Sequence, residues 1–217
     1  MSLSPQLRTR VLSGAAREPA PTRRQTALTR LWLFGSGVAG ALVIFFLQGG
    51  VRLTGRPPTL VALTTLGTSV FVATGMYFLF TRPPQSMLRR PAGMLIVVTV
   101  LSAMAFVAWR HEVSAVYDRI LPWPDRVGFR CLKLGILTGA LPLFAALIAW
   151  RRTDPLTPTA TGAAFGAGAG LGSAVLTDLW CPVSYLPHLI LGHVLPILIL
   201  ACVGAFFGYI ALRVRRR

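Results

Sequence analysis

Cysteine and histidine are the residue types in this sequence best suited to metal or redox chemistry, and Cys131, Cys181, His188 and His193 fall together in its C-terminal half. Cys with His is a ligand set for soft or borderline metals. Two thiols at one depth in an oxidising compartment are candidates for a disulfide or for a redox- or metal-responsive pair. A purely structural pair, or no relation at all, are the plainer alternatives. No Cys-x-x-Cys is present, so the set is incomplete as a motif and no metal is assigned. The five-residue spacing of His188 and His193 sets the imidazoles well apart around an α-helix, and His193 reads as a hydrogen-bonded interior group. Cys202 reads as a small apolar residue within a span. Asp178 is the one acid near the apolar segments of this half. An ionisable group there is a functional candidate, but an interfacial pair with Lys133 or Arg130 is the simpler expectation.

Other chemistry is missing. The sequence has no Gly-rich phosphate loop, no His-Glu-x-x-His and no serine elbow. Six Asp and Glu in 217 residues leave little for acid–base work. No enzyme and no cofactor is therefore expected. The absence points to a scaffold, a sensor or a tether.

The elements that must position these side chains follow from composition. The chain is 54% hydrophobic and 13% charged, about half the charge of a soluble domain. Its charges cluster, and between the clusters run apolar stretches long enough to cross a bilayer core of ~30 Å as helices. The pattern predicts an all-α membrane protein, a bundle of six transmembrane helices at about 31–47, 59–80, 91–109, 131–150, 159–179 and 187–212. A 1–30 tail precedes this membrane domain of 31–212, and a basic 213–217 tail follows it. No cleavable signal peptide is expected, because residues 1–30 carry six Arg and no apolar core. Alternating sides, the N-terminal tail, the 81–90 and 151–158 loops and the C-terminus hold 15 of the 22 Lys and Arg. The cation-rich side is cytoplasmic, which puts both termini inside and Cys131 and Cys181 at the outer face. The net charge of +16 is thus a topological signal, and direct nucleic-acid binding is not expected. Gly162, Gly166 and Gly170 recur at a spacing that lets helices approach closely, within the chain or, less simply, between copies. Pro142 and Pro196 interrupt apolar runs and are placed to kink them.

The tail offers a short amphipathic helix. Ser4-Pro5 is a start signal, and Leu3, Leu7, Val11 and Leu12 recur at helical spacing around Arg8 and Arg10. Such a stripe could fill a partner's groove, lie on the membrane surface, or serve only as a charged leader. The Pro-rich stretch at Pro19 and Pro21 reads as a connector.

An ordered pattern in the C-terminal half carries a resemblance. Arg130-Cys131-Leu132 opens one span, which ends at Trp150-Arg151-Arg152 before the turn Asp154-Pro155-Leu156-Thr157-Pro158. A Gly/Ala-rich span leads to Leu179-Trp180-Cys181-Pro182, and Gly192-His193-Val194-Leu195-Pro196 precedes a helix with Gly204 and Gly208. This resembles the six-helix membrane anti-sigma factors of the NrsF type, to which CarR-type regulators are similar. The resemblance implies a bacterial inner-membrane protein that sequesters a sigma factor of the extracytoplasmic-function class through a cytoplasmic segment. It implies release on envelope, metal, oxidative or light-linked stress, with Cys131 and Cys181 as signal-sensitive residues and a membrane partner controlling turnover. The commoner members carry a Pro-Val-Arg element near the start, where this chain reads Leu7-Arg8-Thr9-Arg10-Val11-Leu12. A small transporter or channel component and a membrane anchoring subunit are the alternative readings.

Overall fold

The computed structural model describes residues 22–52, 57–80, 91–114, 125–151 and 157–212, with Gln6, Ser13 and Pro155. Among these the chain is helical, with no strand. Its long elements are α1 (Arg23–Leu47), α2 (Pro58–Phe80), α3 (Pro91–Ser114), α4 (Phe129–Ala149), α5 (Pro158–Trp180) and α6 (Leu186–Ala211). Among the described residues three of them, α1 from Arg24, α4 and α6, are long and apolar enough to cross a membrane, and Pro58–Phe71 of α2 is a shorter apolar stretch. Three of the six spans expected from hydropathy are thus shown. In α5 the length is there, at 23 residues, but Gly, Ala and Thr make up most of it. Near its end α3 carries Arg110, His111 and Glu112.

Two boundaries differ from those read off apolar runs. α1 begins at Arg23 and not at Leu31, so the 1–30 stretch is helical over its last turns. The cause is a capping box: the Gln25 N–H donates to Thr22 Oγ1 at 3.2 Å, and the Thr22 N–H donates to Gln25 Oε1 at 2.9 Å. Two orphan donors are satisfied reciprocally, which starts the helix upstream of any hydrophobic residue. α3 continues past Trp109 to Ser114 because Arg110, which would end a lipid-facing segment, is buried inside the protein.

Packing follows from where side chains are smallest. α5 and α6 meet backbone to backbone: Gly162 faces the Gly204 carbonyl and Gly208 Cα, Gly166 faces the Leu200 carbonyl, and a Cβ at Gly170 would stand 2.7 Å from Ile197 Cα. Small residues on both faces are what permit such close van der Waals contact. α1 lies on α4 in the same manner, with a Cβ at Gly37 placed 2.7 Å from Ala145 Cβ. Gly67 on α2 receives the indole of Trp109 from α3. The apolar core is built by Leu143, Ala146 and Leu147 of α4, Phe165 of α5 and Leu200 of α6, closed by Leu212.

Gly166→Val should destabilise the purified protein by at least about 1–3 kcal/mol, the range for overpacking. A Cβ at Gly172 meets nothing within 4 Å, so Gly172→Ala should leave the thermal midpoint unchanged. Thermal unfolding of both variants in detergent checks the contrast; equal midpoints would show that the α5–α6 contact is not close.

Candidate metal and thiol site

Cys131 lies in the first turn of α4, Cys181 caps the C-terminus of α5, and His188 and His193 lie in the first half of α6. The fold brings all four together. Their ligand atoms lie within 4.8 Å of one another, and all four residues are buried. His188 Nε2 stands 3.3 Å from Cys131 Sγ and 3.1 Å from Cys181 Sγ. Both cysteines are free thiols, whereas Cys202 is exposed on α6, away from the cluster.

The two imidazoles converge because this part of α6 is not α-helical. Ile190–Val194 forms a π-helical turn, with the Leu195 N–H donating to the Ile190 carbonyl five residues back. One turn of such a helix takes one residue more than an α-turn, so residues five apart face the same way. His188 and His193 therefore sit with ring centroids 5.7 Å apart, and the separation expected from α-helical spacing is overturned. Pro196 supplies a local reason. It has no N–H to give the Gly192 carbonyl, and its ring crowds that position. The expected hydrogen bonds of His193 are also absent: neither ring nitrogen makes one among the described residues. The ring stacks on Phe106 at 5.9 Å.

Two glycines make room. Gly128, at φ +91, precedes α4, and a Cβ there would meet the His188 carbonyl at 3.0 Å and Gly192 at 3.1 Å. A Cβ at Gly192 would stand 2.9 Å from Cys131 Cβ. The start of α4 and the π-turn thus touch through backbone, which brings Cys131 up to His188. His188 is oriented from behind, since its Nδ1 lies 3.3 Å from the Arg126 carbonyl. A carbonyl can only accept, so Nδ1 carries a proton, and Nε2 is the ring atom that faces both thiols.

The Cys181 connector is held by charge. Arg110 of α3 and Asp178 of α5 form an ion pair, Nε to Oδ1 at 2.6 Å, with both side chains fully buried. Arg110 also donates to the Cys181 carbonyl at 2.7 Å, and the Thr68 hydroxyl of α2 lies 3.5 Å from Asp178 Oδ2. The expected partners of Asp178, Lys133 and Arg130, are exposed instead. Hydropathy treats Arg110 as one more flanking cation. The signal that could have found it was Asp178, an acid on an apolar helix that needs an internal partner. His111 Nδ1, 3.2 Å from the Ser184 carbonyl, ties the same connector to α3.

Burial of Cys181 disfavours its thiolate, yet contacts from Cys131, His188 and His193 outweigh that cost and hold the thiol well below its ordinary value. The Val183 N–H, 3.5 Å from Sγ, points the same way. Two sulfurs and two imidazole nitrogens at these separations suit a tetrahedral ion with bonds of roughly 2.0–2.3 Å, and the unpartnered nitrogens of His193 suit a fourth ligand. The same proximity of sulfurs suits a disulfide. Leu3, Leu7, Arg8, Arg10, Val11 and Leu12, the expected sigma-binding stripe, lie outside the described residues.

Among the described residues the chain is thus all helical, with three helices of membrane-crossing length and a buried thiol–imidazole cluster. The family model described as NrsF, negative regulator of sigma F, matches residues 15–214, and the chain belongs to that family. No curated protein and no solved structure matches it.

Asp178→Ala should cost about 3–5 kcal/mol, because it leaves the Arg110 charge buried and unpaired, while the Arg110→Met, Asp178→Leu double variant should recover most of that loss. Denaturation of the three proteins in one detergent measures it, and additive losses would show that the pair is not coupled. Zinc titration of the reduced full chain should give one ion per chain, with affinity lowered at least tenfold by His193→Ala.

Proposed function

We propose that this chain is a membrane-bound anti-sigma factor that holds an extracytoplasmic-function sigma factor at the inner membrane and lets it go when the Cys131–Cys181–His188–His193 site reacts. Membership in a family of negative sigma-factor regulators supports the partner. The single observation that carries the sensing role is the convergence of four buried ligand-capable side chains at one end of the bundle. In this reading all six long helices cross the membrane, both termini are cytoplasmic, and the site faces outward. No enzymatic step is assigned to the protein.

The packing links the site to α1, which leads back to Arg23. The Arg52 N–H donates to the Leu179 carbonyl at 3.1 Å, its guanidinium lies 4.2 Å over the Trp180 ring, and Trp180 Nε1 donates to the Gln48 carbonyl at 2.8 Å. These contacts pin the end of α1 to the residues just before Cys181. α1 then runs without a break for 25 residues to Arg23, about 37 Å at 1.5 Å per residue. A metal ion drawing Cys181 toward the histidines, or a two-electron oxidant converting both thiols to a disulfide, moves the Trp180–Cys181 corner. α1 carries that movement to the sigma-binding stripe of residues 3–12. Release requires only that the reacted state bind sigma factor less well than the resting one.

The competing readings have less to rest on. An anchoring subunit would offer its glycine face to a partner, but Gly162, Gly166 and Gly170 are already covered by α6. A transporter needs polar groups along a path, and the buried Arg110–Asp178 pair is locked into the Cys181 connector.

Full-length protein should co-purify with its sigma factor from membranes, and Leu7→Asp with Leu12→Asp should weaken capture at least tenfold. Added cadmium or a disulfide-forming oxidant should release sigma factor from wild type and not from Cys131→Ser, Cys181→Ser. Capture of no sigma factor would sink the partner assignment. Equal release from wild type and the double variant would reduce the cysteines to a structural pair.

A further inference from the structure

α1, α4 and α5 leave a cavity of about 540 Å³ between them, lined along its length by Phe34 and Val38 of α1, Pro142 and Trp150 of α4, and Ala169 and Gly172 of α5. We infer that this groove is a binding site for one acyl chain of an anionic phospholipid, with the headgroup phosphate on Arg30. The inference rests on the membrane reading of the chain but is independent of the sigma-factor partner and of the thiol site.

Chemistry inside the groove excludes a polar occupant. Its two hydroxyl residues are satisfied within their own helices: Thr138 Oγ1 donates to the Leu134 carbonyl at 2.8 Å and Ser173 Oγ to the Gly170 carbonyl at 2.8 Å. Everything else that lines it is apolar or glycine. The volume lies within the ~300–1,000 Å³ of small-molecule sites. The lining runs along α4 from Thr138 to Trp150, about 18 Å of helix, close to the ~15 Å of one leaflet in a bilayer core of ~30 Å. The rim residues Val38 and Leu42 are exposed, so a chain enters sideways from the leaflet. Gly172 leaves the wall open, with no atom within 4 Å of where its Cβ would be.

One end of the groove is built differently. Trp150 and Phe165 close it, their ring centroids 5.3 Å apart, and the Arg30 guanidinium lies 5.1 Å over the Trp150 ring. Arg30 Nε is buried and makes no hydrogen bond among the described residues. Arg151, next in sequence to Trp150, is exposed. An indole platform under a cation with a spare N–H matches a phosphate at the headgroup level, where tryptophan and arginine belong.

The test is native mass spectrometry of full-length chain extracted in mild detergent from membranes holding equal phosphatidylglycerol and phosphatidylethanolamine. One retained diacyl lipid per chain is expected, with phosphatidylglycerol preferred roughly fivefold, as one cation near an anionic lipid implies. Gly172→Leu, whose Cβ would meet no atom within 4 Å, places a branched side chain in the open wall and should abolish retention while leaving helicity and thermal midpoint unchanged. Arg30→Gln should keep the lipid and lose the preference. Membrane-extracted chains free of lipid, equal occupancy in Gly172→Leu, or no preference in wild type would overturn the inference alone. Recovery of the chain from the soluble fraction would overturn the membrane reading with it.

Discussion

A buried charge has to be answered from inside the protein, and in this chain that requirement organises one whole end of the bundle. Asp178 sits on α5 with no exposure, and so does Arg110 on α3. Each would be intolerable alone. Their pairing fixes the distance between α3 and α5, and the second reach of Arg110, to the Cys181 carbonyl, anchors the connector that carries the thiol. The thiol–imidazole cluster is therefore held by a neighbouring pair of charges that takes no part in it chemically.

Much of this was legible beforehand. Apolar stretches separated by charge clusters marked all six helical segments, and the two cysteines and two histidines stood out by type. Proximity was legible only for the thiols, through alternation of sides, and it rested on charge counting. Three features were not legible. The π-turn depends on one missing N–H at Pro196 and on backbone contact between Gly128 and Gly192, neither of which alters an apolar pattern. The Arg110–Asp178 pair joins residues 68 positions apart, and hydropathy sees the first merely as a flank. The capping box at Thr22 is a polar signal upstream of the apolar run, so a reading by hydrophobicity starts the helix at Leu31.

The two glycine-built interfaces have different consequences. Where α5 meets α6 the backbones touch, so neither helix can slide without losing contact along most of its length. At Gly172 on the same helix nothing touches, and the space beyond is the apolar groove. A single Gly-rich helix thus presents a rigid face to one neighbour and an unfilled one to the other. The Leu179–Trp180 end of α5 is attached to the end of α1 through Gln48 and Arg52, so the proposed response at Cys181 has a mechanical link to α1.

The π-turn has an evolutionary reading. A turn closed five residues back differs from an α-turn by one inserted residue, with the flanking helix unchanged in length on either side. Losing a single residue between His188 and His193 would leave a four-residue α-helical spacing, which also sets the two imidazoles on one face. The π-turn therefore absorbs one extra residue while the imidazole pair, the ion pair and the two cysteines stay together.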